Sequence, residues 1–268
     1  MKIRECLIAV RGGGDLATGT IHCLFSCGFK VIVLETGQPT TIRRLAAFSQ
    51  AMYQNEICVE NIRARRVETL EEIHQCWEKN ILPVADDPKG LWIKALKPQI
   101  VVDAIIAKKN LGTSMEMAPL VIGLGPGFCA GKDVHIVIET MRGHQLGRII
   151  REGCAIPNTG VPGVIAGVSK ERVIHSPAAG IMRENAAMGD IVRRGDVIAY
   201  IGDTPVYATI DGVLRGLLHG GLEVPTGFKI ADIDPRISEQ GNCVTISDKA
   251  RTIAGGVLQA VLMHGNIE

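Results

Sequence analysis

The segment Arg11–Thr18 is the part of the chain whose residue types best match a ligand-binding function. Its glycines fit the pattern Gly12-x-Gly14-x-x-Ala17, the looser form of a dinucleotide-binding fingerprint. Such glycines permit a sharp turn and let backbone amides approach a phosphate, and the N-terminus of the following helix adds partial positive charge. Glu35 follows about 20 residues later, where an acid typically accepts a hydrogen bond from a ribose hydroxyl.

The elements around this loop have the order that the fingerprint requires. Apolar runs predict buried strands over 6–10 and 30–34, with a helix over 17–27 between them. Asp15 departs from the pattern, because it places a negative charge where a phosphate would lie; it either caps the helix or is offset by Arg11. Two interpretations therefore stand: a nucleotide- or phosphate-binding loop, or a βαβ unit whose glycines serve only packing.

Two arginines follow the second predicted strand. Pro39 ends the strand, and Arg43 and Arg44 lie in the loop or helix start that follows it. Ligands of open α/β sheets bind at the carboxyl ends of the strands, and arginine suits bidentate recognition of phosphate or carboxylate. Arg43 and Arg44 are either anion contacts or the solvated basic end of a helix.

A second group of polar residues follows two predicted strands in the middle of the chain, over 120–124 and 134–138. The glycine loop 125–131 follows the first strand and contains Cys129, and the segment Glu139–His144 follows the second. Adjacent strand ends would bring amides, a thiol, a carboxylate, a guanidinium and an imidazole together, which is the usual composition of a binding site. Asp103, near the end of another buried strand, needs a partner, and Lys108 and Lys109 are candidates.

The sequence contains candidate binding residues but no assignable catalytic residue and no spacing typical of metal ligands. The candidates are Gly12, Gly13, Gly14, Asp15, Thr18, Glu35, Arg43, Arg44, Gly125, Gly127, Glu139, Arg142 and His144.

An internal repeat dominates the C-terminal third. Residues 176–201 match residues 208–233 at a constant offset of 32, with identical pairs such as Gly180/Gly212 and Gly189/Gly221. The glycine-punctuated pattern resembles the barrel-sandwich hybrid of biotinyl and lipoyl carrier domains. The joining stretch 201–206 contains no lysine, so we expect neither biotin nor lipoyl attachment and interpret the domain as a structural or docking module.

Composition limits the class of protein. With a formal net charge of +1 over 268 residues, the chain shows no basic stripe of the kind that nucleic-acid binding requires. No apolar run reaches the length of a membrane span, and the segment Met1–Glu5 does not resemble a signal peptide, so we expect a cytoplasmic protein without a membrane partner. The eight cysteines are scattered, which argues against a zinc ribbon or a disulfide framework.

These patterns predict an α/β fold in three parts. A Rossmann-like parallel-sheet domain is expected over residues 1–165, and a small all-β domain like a barrel-sandwich hybrid, built from the two repeats, over 170–236. A C-terminal segment is expected over 237–268. The stretch Pro157–Gly163 is the predicted linker. The last segment carries a predicted helix over 248–263 that ends at Gly265, and Gly255 and Gly256 inside it predict close packing on the first domain.

Several segments together resemble the accessory proteins of the selenium-dependent molybdenum hydroxylase system. They are residues 11–19, 125–128, 139–144, 157–163, 232–236 and 247–249. The resemblance implies maturation of a hydroxylase client, with a nucleotide or molybdopterin-type cofactor, or another phosphorylated small molecule, as ligand. Either of two other functions is consistent with the residues: an NAD(P)-dependent oxidoreductase using Gly12, Gly14 and Glu35, or a ligand-free docking scaffold. A homo-oligomer is compatible with each of them.

Overall fold

The computed structural model describes residues 5–160 and 163–264. The chain divides into two compact units. Unit 1 comprises Met1–Pro39, Ala47–Asn158 and Ile246–Glu268, and unit 2 comprises Thr40–Ala46 and Thr159–Thr245. The short segment Thr40–Ala46, which the sequence places with the first domain, thus folds with unit 2, and the C-terminal segment divides at Ile246.

Unit 1 contains eleven strands and five helices in the part of the chain that the structure describes. The strands are β1 (Leu7–Arg11), β2 (Lys30–Glu35), β3 (Glu56–Val59), β4 (Ile62–Val67), β5 (Leu82–Asp86), β6 (Ile100–Asp103), β7 (Leu120–Leu124), β8 (Cys129–Ala130), β9 (Ile136–Ile138), β10 (Ile149–Ile150) and β11 (Gly153–Cys154). The helices are α1 (Asp15–Ser26), α2 (Ala51–Gln54), α3 (Leu70–Glu78), α4 (Leu91–Leu96) and α5 (Asp248–His264). Short 3₁₀ turns cover Phe48–Gln50 and Met115–Met117.

Among these residues, nine strands form one sheet in the order β10-β9-β7-β6-β1-β2-β5-β4-β3. The seven inner strands are parallel to their neighbours, whereas β3 pairs antiparallel with β4 and β10 antiparallel with β9. The central strands β1, β2, β6 and β7 are almost fully buried, as expected for a parallel sheet covered on both faces. Their carboxyl ends share one edge of the sheet, which we call the strand-end edge.

Helices α1 and α5 pack together on one face of the sheet. The helices approach closely where Gly19 of α1 meets Ala250, because a Cβ on Gly19 would lie 2.6 Å from the Ala250 carbonyl oxygen. Apolar side chains of both helices, including Ile21 and Ile253, are fully buried with those of β1 and β7. The predicted end of α5 at Gly265 lies outside the described residues.

Unit 2 contains eight strands within residues 163–245 as described. They are β12 (Val173–His175), β13 (Gly180–Glu184), β14 (Ile191–Val192), β15 (Val197–Ile201), β16 (Thr204–Tyr207), β17 (Gly212–Leu217), β18 (Glu223–Val224) and β19 (Lys229–Asp234). They form two separate four-stranded antiparallel sheets, β12-β19-β17-β14 and β16-β15-β13-β18. A 3₁₀ helix, Ile237–Val244, follows.

The two repeat copies fold alike and exchange strands. The paired glycines have matching backbone angles, with φ of 151° at Gly180 and 153° at Gly212, and 95° at Gly189 and 87° at Gly221. Strand β14 of the first copy pairs with β17 of the second, and β18 of the second pairs with β13 of the first. Each sheet therefore needs both copies.

The expected fold class, a Rossmann-like parallel sheet followed by a barrel-sandwich-hybrid-like domain, is wrong. The large sheet is mixed, because the antiparallel strands β3 and β10 close both of its edges, and the C-terminal strands form two separate sheets and not a barrel. The sequence did not predict β3 and β4, since Ile62–Val67 carries three arginines and lacks the apolar run of a buried strand. Charged residues are typical of strands near a sheet edge. Of the predicted linker, residues 161 and 162 lie outside the described residues.

Candidate functional site

The glycine loop between β1 and α1 packs tightly against the protein's own backbone. Gly12 has a φ of 91°, and a Cβ there would lie 2.9 Å from the Cα of Ile105. A Cβ on Gly13 would lie 3.0 Å from the amide nitrogen of Ser49, and that amide donates to the Gly13 carbonyl at 2.8 Å. Glycine is thus required at position 12 by its φ and by the close approach of the chain, and a side chain at position 13 would crowd the Ser49 amide.

Two amides of this loop are already engaged. The amide of Gly12 donates to the Leu34 carbonyl at 2.8 Å, and the amide of Gly13 donates to Glu35 Oε2 at 2.7 Å. Glu35 Oε1 accepts the Thr36 amide at 2.8 Å. Burial, and secondarily the nearby Asp86 carboxylate, raise the pKa of Glu35, although both amide hydrogen bonds act in the opposite direction. The loop therefore offers a ligand the first-turn amides of α1 and not those of Gly12 or Gly13.

Helix α1 begins at Asp15 without a side-chain cap. Its N-cap is Gly14, which has no side chain to accept a hydrogen bond from the first turn. The first amides of an α-helix have no acceptor within the helix and create partial positive charge. Thr18 is fully buried; its Oγ1 donates to the Gly14 carbonyl at 2.9 Å and accepts the Phe48 amide at 3.0 Å. Thr18 thus fixes the 3₁₀ turn Phe48–Gln50 against the helix.

Gln50, the last residue of this turn, is 1% exposed, and neither its side-chain oxygen nor its side-chain nitrogen has a hydrogen-bond partner. Leaving a buried polar group unpaired costs about 1–3 kcal/mol. The preceding residue, Ser49, is the one bonded to Gly13. The unsatisfied carboxamide thus belongs to the residue that directly follows a contact of the glycine loop, and no local sequence pattern around Gln50 indicates it.

A buried ion pair lies between the ends of the neighbouring strands β1 and β6. Strands β2 to β5, which follow β1 in the chain, lie on one side of it in the sheet, and those that follow β6 lie on the other. Arg11 Nη1 lies 3.4 Å from Asp103 Oδ2 and also donates to Thr113, whose hydroxyl donates to the same carboxylate at 2.5 Å. Burial raises the pKa of Asp103, while Thr113 and Arg11 act in the opposite direction. Asp103 is thus paired with Arg11, and Lys108 and Lys109, the expected partners, are both exposed.

The two loops after β7 and β9 also lie at the strand-end edge. Gly125 adopts a φ of 75° against Thr140, and a Cβ on Gly127 would lie 2.7 Å from the Cα of Lys109. Glu139 is 2% exposed. Its carboxylate accepts three backbone amides, from Thr140 and Met141 at 2.7 Å each and from Ile156 at 2.8 Å. Glu139 therefore holds its own loop in shape.

Arg142 and His144, the remaining candidates of this loop, are both exposed. The guanidinium of Arg142 pairs with Asp248, the first residue of α5, at 3.0 and 3.3 Å. This pair joins the loop after β9 to the helix that carries Lys249.

Lys249 is another residue that the sequence analysis did not count among the binding candidates. It is partly buried, and burial is the main cause that lowers its pKa, with the charge of Arg142 acting in the same direction. The carboxylates of Asp15 and Glu139 raise it in turn, which places the ammonium within electrostatic range of the start of α1 and of the loop after β9. The loop of residues 12–15 lies more than 230 residues before Lys249 in the chain. No local sequence signal links the two.

Arg43 and Arg44 belong to unit 2, and their guanidinium groups contact other residues of the same unit. Arg43 is 8% exposed and donates to the carbonyls of Asn242 at 3.2 Å and Thr245 at 3.1 Å. Arg44 donates to the Leu217 carbonyl at 3.0 Å and pairs with Glu184. Both guanidiniums thus hold the segment Thr40–Ala46 within unit 2.

Cys129 carries no free thiol, because it forms a disulfide with Cys154. This bond is unexpected from the scattered cysteine pattern. Within the described ranges, no group of three or more His, Cys, Asp or Glu side chains is placed to hold a metal ion. No helix of residues 5–160 and 163–264 is both long and apolar enough to cross a membrane.

A concavity of about 440 Å³ lies at the other end of β2, away from the strand-end edge. Its lining includes Phe25, Phe29, Lys30, His74, Trp77 and Asn80. The indole of Trp77 is fixed by a 2.8 Å hydrogen bond to the Val31 carbonyl, and the Lys30 ammonium lies 5.8 Å from its ring centre. None of the expected binding residues lines this groove.

Comparison with known proteins gives one relative of high identity. No family model matches the sequence. The uncharacterized protein YqeB of Escherichia coli strain K12 is 52% identical over 257 residues, which cover 96% of this chain and 47% of YqeB. The chain thus spans about half the length of this curated relative.

Similarity to solved structures is weak. An aspartoacylase family protein from Mesorhizobium loti has a TM-score of 0.29 at 12% identity and covers 86% of this chain and 85% of its own. A succinylglutamate desuccinylase from Silicibacter has a TM-score of 0.25 at 12% identity, covering 85% and 84%. The ectoine utilization protein EutE from Ruegeria pomeroyi has a TM-score of 0.23 at 10% identity, covering 84% and 56%. These scores do not establish a common fold.

The expected family is wrong. The similar proteins found are an uncharacterized protein and members of the aspartoacylase and desuccinylase families, and none of them is an accessory protein of a selenium-dependent molybdenum hydroxylase. The maturation function that the resemblance implied and the oxidoreductase alternative are overturned with it.

Proposed function

We propose that unit 1 binds a small phosphate-bearing molecule at its strand-end edge, at the N-terminus of α1. The observation that carries the proposal is the partly buried Lys249, whose ammonium lies within electrostatic range of Asp15, the first residue of that helix. A helix N-terminus and a lysine together supply the backbone donors and the positive charge that a phosphate requires.

The first turn of α1 supplies the backbone part of the site. Gly14 provides no side-chain cap, and Gly12 and Gly13 direct their amides to other acceptors. The first-turn amides therefore account for recognition of the phosphate oxygens, and the dipole of this twelve-residue helix favours the same charge.

Gln50 is a second, independent indication of a ligand. Its carboxamide is buried without a partner next to the Gly13 contact, and it can both donate and accept a hydrogen bond. Glu35 retains acceptor capacity after binding two amides. A ligand with hydroxyl groups beside its phosphate, such as a sugar phosphate, would satisfy both side chains.

The two acids near Lys249 do not prevent anion binding. Glu139 is engaged by three amides, which spread its charge into the backbone. The carboxylate of Asp15 raises the pKa of Lys249, which opposes the effect of burial. The proposal is one of ligand binding by a cytoplasmic protein, without nucleic acid or membrane, and it assigns no catalytic step.

Calorimetric titration of the full chain with ribose 5-phosphate, with ribose as the unphosphorylated control, tests the proposal. We expect binding of the phosphate ester only, and at least tenfold weaker affinity in Lys249→Met. The matched control is Lys94→Met, because Lys94 is exposed on α4. Absence of binding, or equal loss in both variants, would contradict the proposal.

Gln50→Met separates a ligand contact from a structural role. The substitution removes an unsatisfied buried group with little change in side-chain length, so the free energy of unfolding without ligand should rise by about 1–3 kcal/mol. Affinity for ribose 5-phosphate should nevertheless fall. A variant that is destabilised, or that binds as the natural chain does, would show that Gln50 does not face a ligand.

A further inference from the structure

The disulfide Cys129–Cys154 links the two strands, β8 and β11, of the smallest sheet of unit 1. Strands β8 and β11 contribute two residue pairs, Ala130 with Gly153 and Cys129 with Cys154, and the two cysteine Cα atoms are 4.1 Å apart. Cys154 and Gly153 are exposed, and Cys129 is partly exposed. A disulfide at this surface is accessible to an external thiol.

The bond closes a loop with a sequence separation of 25 residues that contains β9, Glu139 and β10. Two residues beyond Cys154, the amide of Ile156 donates to Glu139 Oε2 at 2.8 Å. The attachments of residues 153–156 include the disulfide, the two-pair ladder, this hydrogen bond and the burial of Ala155, which is 5% exposed.

We propose that Cys129 and Cys154 form a reversible thiol–disulfide exchange site whose partner is a dithiol reductant. A thiolate of the dithiol attacks Sγ of the exposed residue Cys154 and forms a mixed disulfide, and the Cys129 sulfur leaves with the electron pair and takes up a proton. The second thiol of the partner then displaces Cys154, which also leaves as a thiol. The protein gains two electrons and two protons, and the dithiol becomes a disulfide.

Reduction releases one side of the Glu139 loop. A two-stranded ladder of this length is not stable by itself in water, so residues 153–156 should detach more often once the covalent link is lost. Ile156 then ceases to donate to Glu139 for part of the time, while Thr140 and Met141 retain their contacts with the other carboxylate oxygen. The inference does not depend on the identity of a ligand at the strand-end edge.

Thiol trapping with mass spectrometry tests whether the bond forms and is reducible. We expect the untreated full chain, alkylated after denaturation, to carry label on the six other cysteines only, and on all eight after treatment of the native protein with dithiothreitol. Label on Cys129 and Cys154 in the untreated chain, or resistance to dithiothreitol in the native state, would overturn the proposal.

Hydrogen exchange tests the consequence for the loop. Amides of residues 154–156 should exchange about tenfold faster after reduction, with β1 and β6 unchanged. Cys154→Ser and Cys129→Ser should each reproduce this without reductant, whereas Cys58→Ser, which removes an exposed free thiol, should not. Unchanged exchange, or faster exchange throughout the chain, would show that the disulfide does not control this segment and would overturn the proposal.

Discussion

At the scale of residues, the strand-end edge contains polar groups that differ in how far their hydrogen bonds are satisfied. Glu139 is saturated by three amides, and Arg11 and Asp103 are paired in a buried network with Thr113. Gln50 is buried with no hydrogen-bond partner for its carboxamide, and burial lowers the pKa of the partly buried Lys249. The first group maintains the shape of the strand-end edge, and the proposal assigns the second group to a ligand.

The raised pKa of Glu35 predicts a pH dependence of stability. The native protein holds a proton on Glu35 to a higher pH than the unfolded chain, whose glutamates titrate near pH 4.3. The contribution of this group to the free energy of unfolding is therefore largest below that pH and is lost as the pH rises through the native pKa. The loss grows with the difference between the native and unfolded pKa values of Glu35.

Denaturant unfolding of the natural chain and of Glu35→Gln between pH 4 and pH 8 measures this contribution. The difference in free energy between the two proteins should fall with rising pH and then become constant. A difference that is independent of pH, or that grows with pH, would mean that burial does not govern Glu35.

At the scale of elements, the close packing of α5 depends on one of its two adjacent glycines. Gly256 faces inward, where a Cβ would overlap the Gly147 carbonyl oxygen and lie 3.1 Å from Ile138 Cγ2, whereas a Cβ on Gly255 would meet open space. The predicted close packing of the glycine pair thus falls on Gly256, within unit 1.

Alanine substitutions at this pair should have opposite effects. Gly256→Ala forces α5 away from the loop after β9 and should lower the free energy of unfolding by about 1–3 kcal/mol. Gly255→Ala improves helix propensity at an exposed position and should raise it by about 0.5–1 kcal/mol. Thermal unfolding of both variants measures the changes, and destabilisation by Gly255→Ala would show that the helix is seated differently.

Local sequence patterns predicted individual strands and helices well, and they predicted contacts between distant segments poorly. The strands over 6–10 and 30–34 and the helix over 248–263 lie within one residue of β1, β2 and α5, because apolar runs and helical periodicity are local signals. The buried strand expected around Asp103 ends at that residue, and Ile106 beyond it adopts a φ of 58° that its sequence does not signal. Lys249, Gln50 and the Cys129–Cys154 bond depend on contacts between distant segments, which a sequence pattern does not encode.

At the scale of the whole molecule, the two units differ in how their chain is assembled. Unit 1 is completed by the last segment of the chain, since α5 packs on α1 through Gly19. Unit 2 contains a repeat whose copies exchange strands, so neither copy forms its sheet alone. The relative YqeB is about twice as long as this chain. The proposed binding function concerns unit 1 alone.

Amide NMR of the full chain during titration with ribose 5-phosphate tests the central claim most directly. The claim predicts shifts of the Leu16 and Ala17 amides and of the Gln50 side-chain NH₂, all lost in Lys249→Met. Shifts confined to the groove of Phe25 and Trp77, or no shifts at the start of α1, would contradict it.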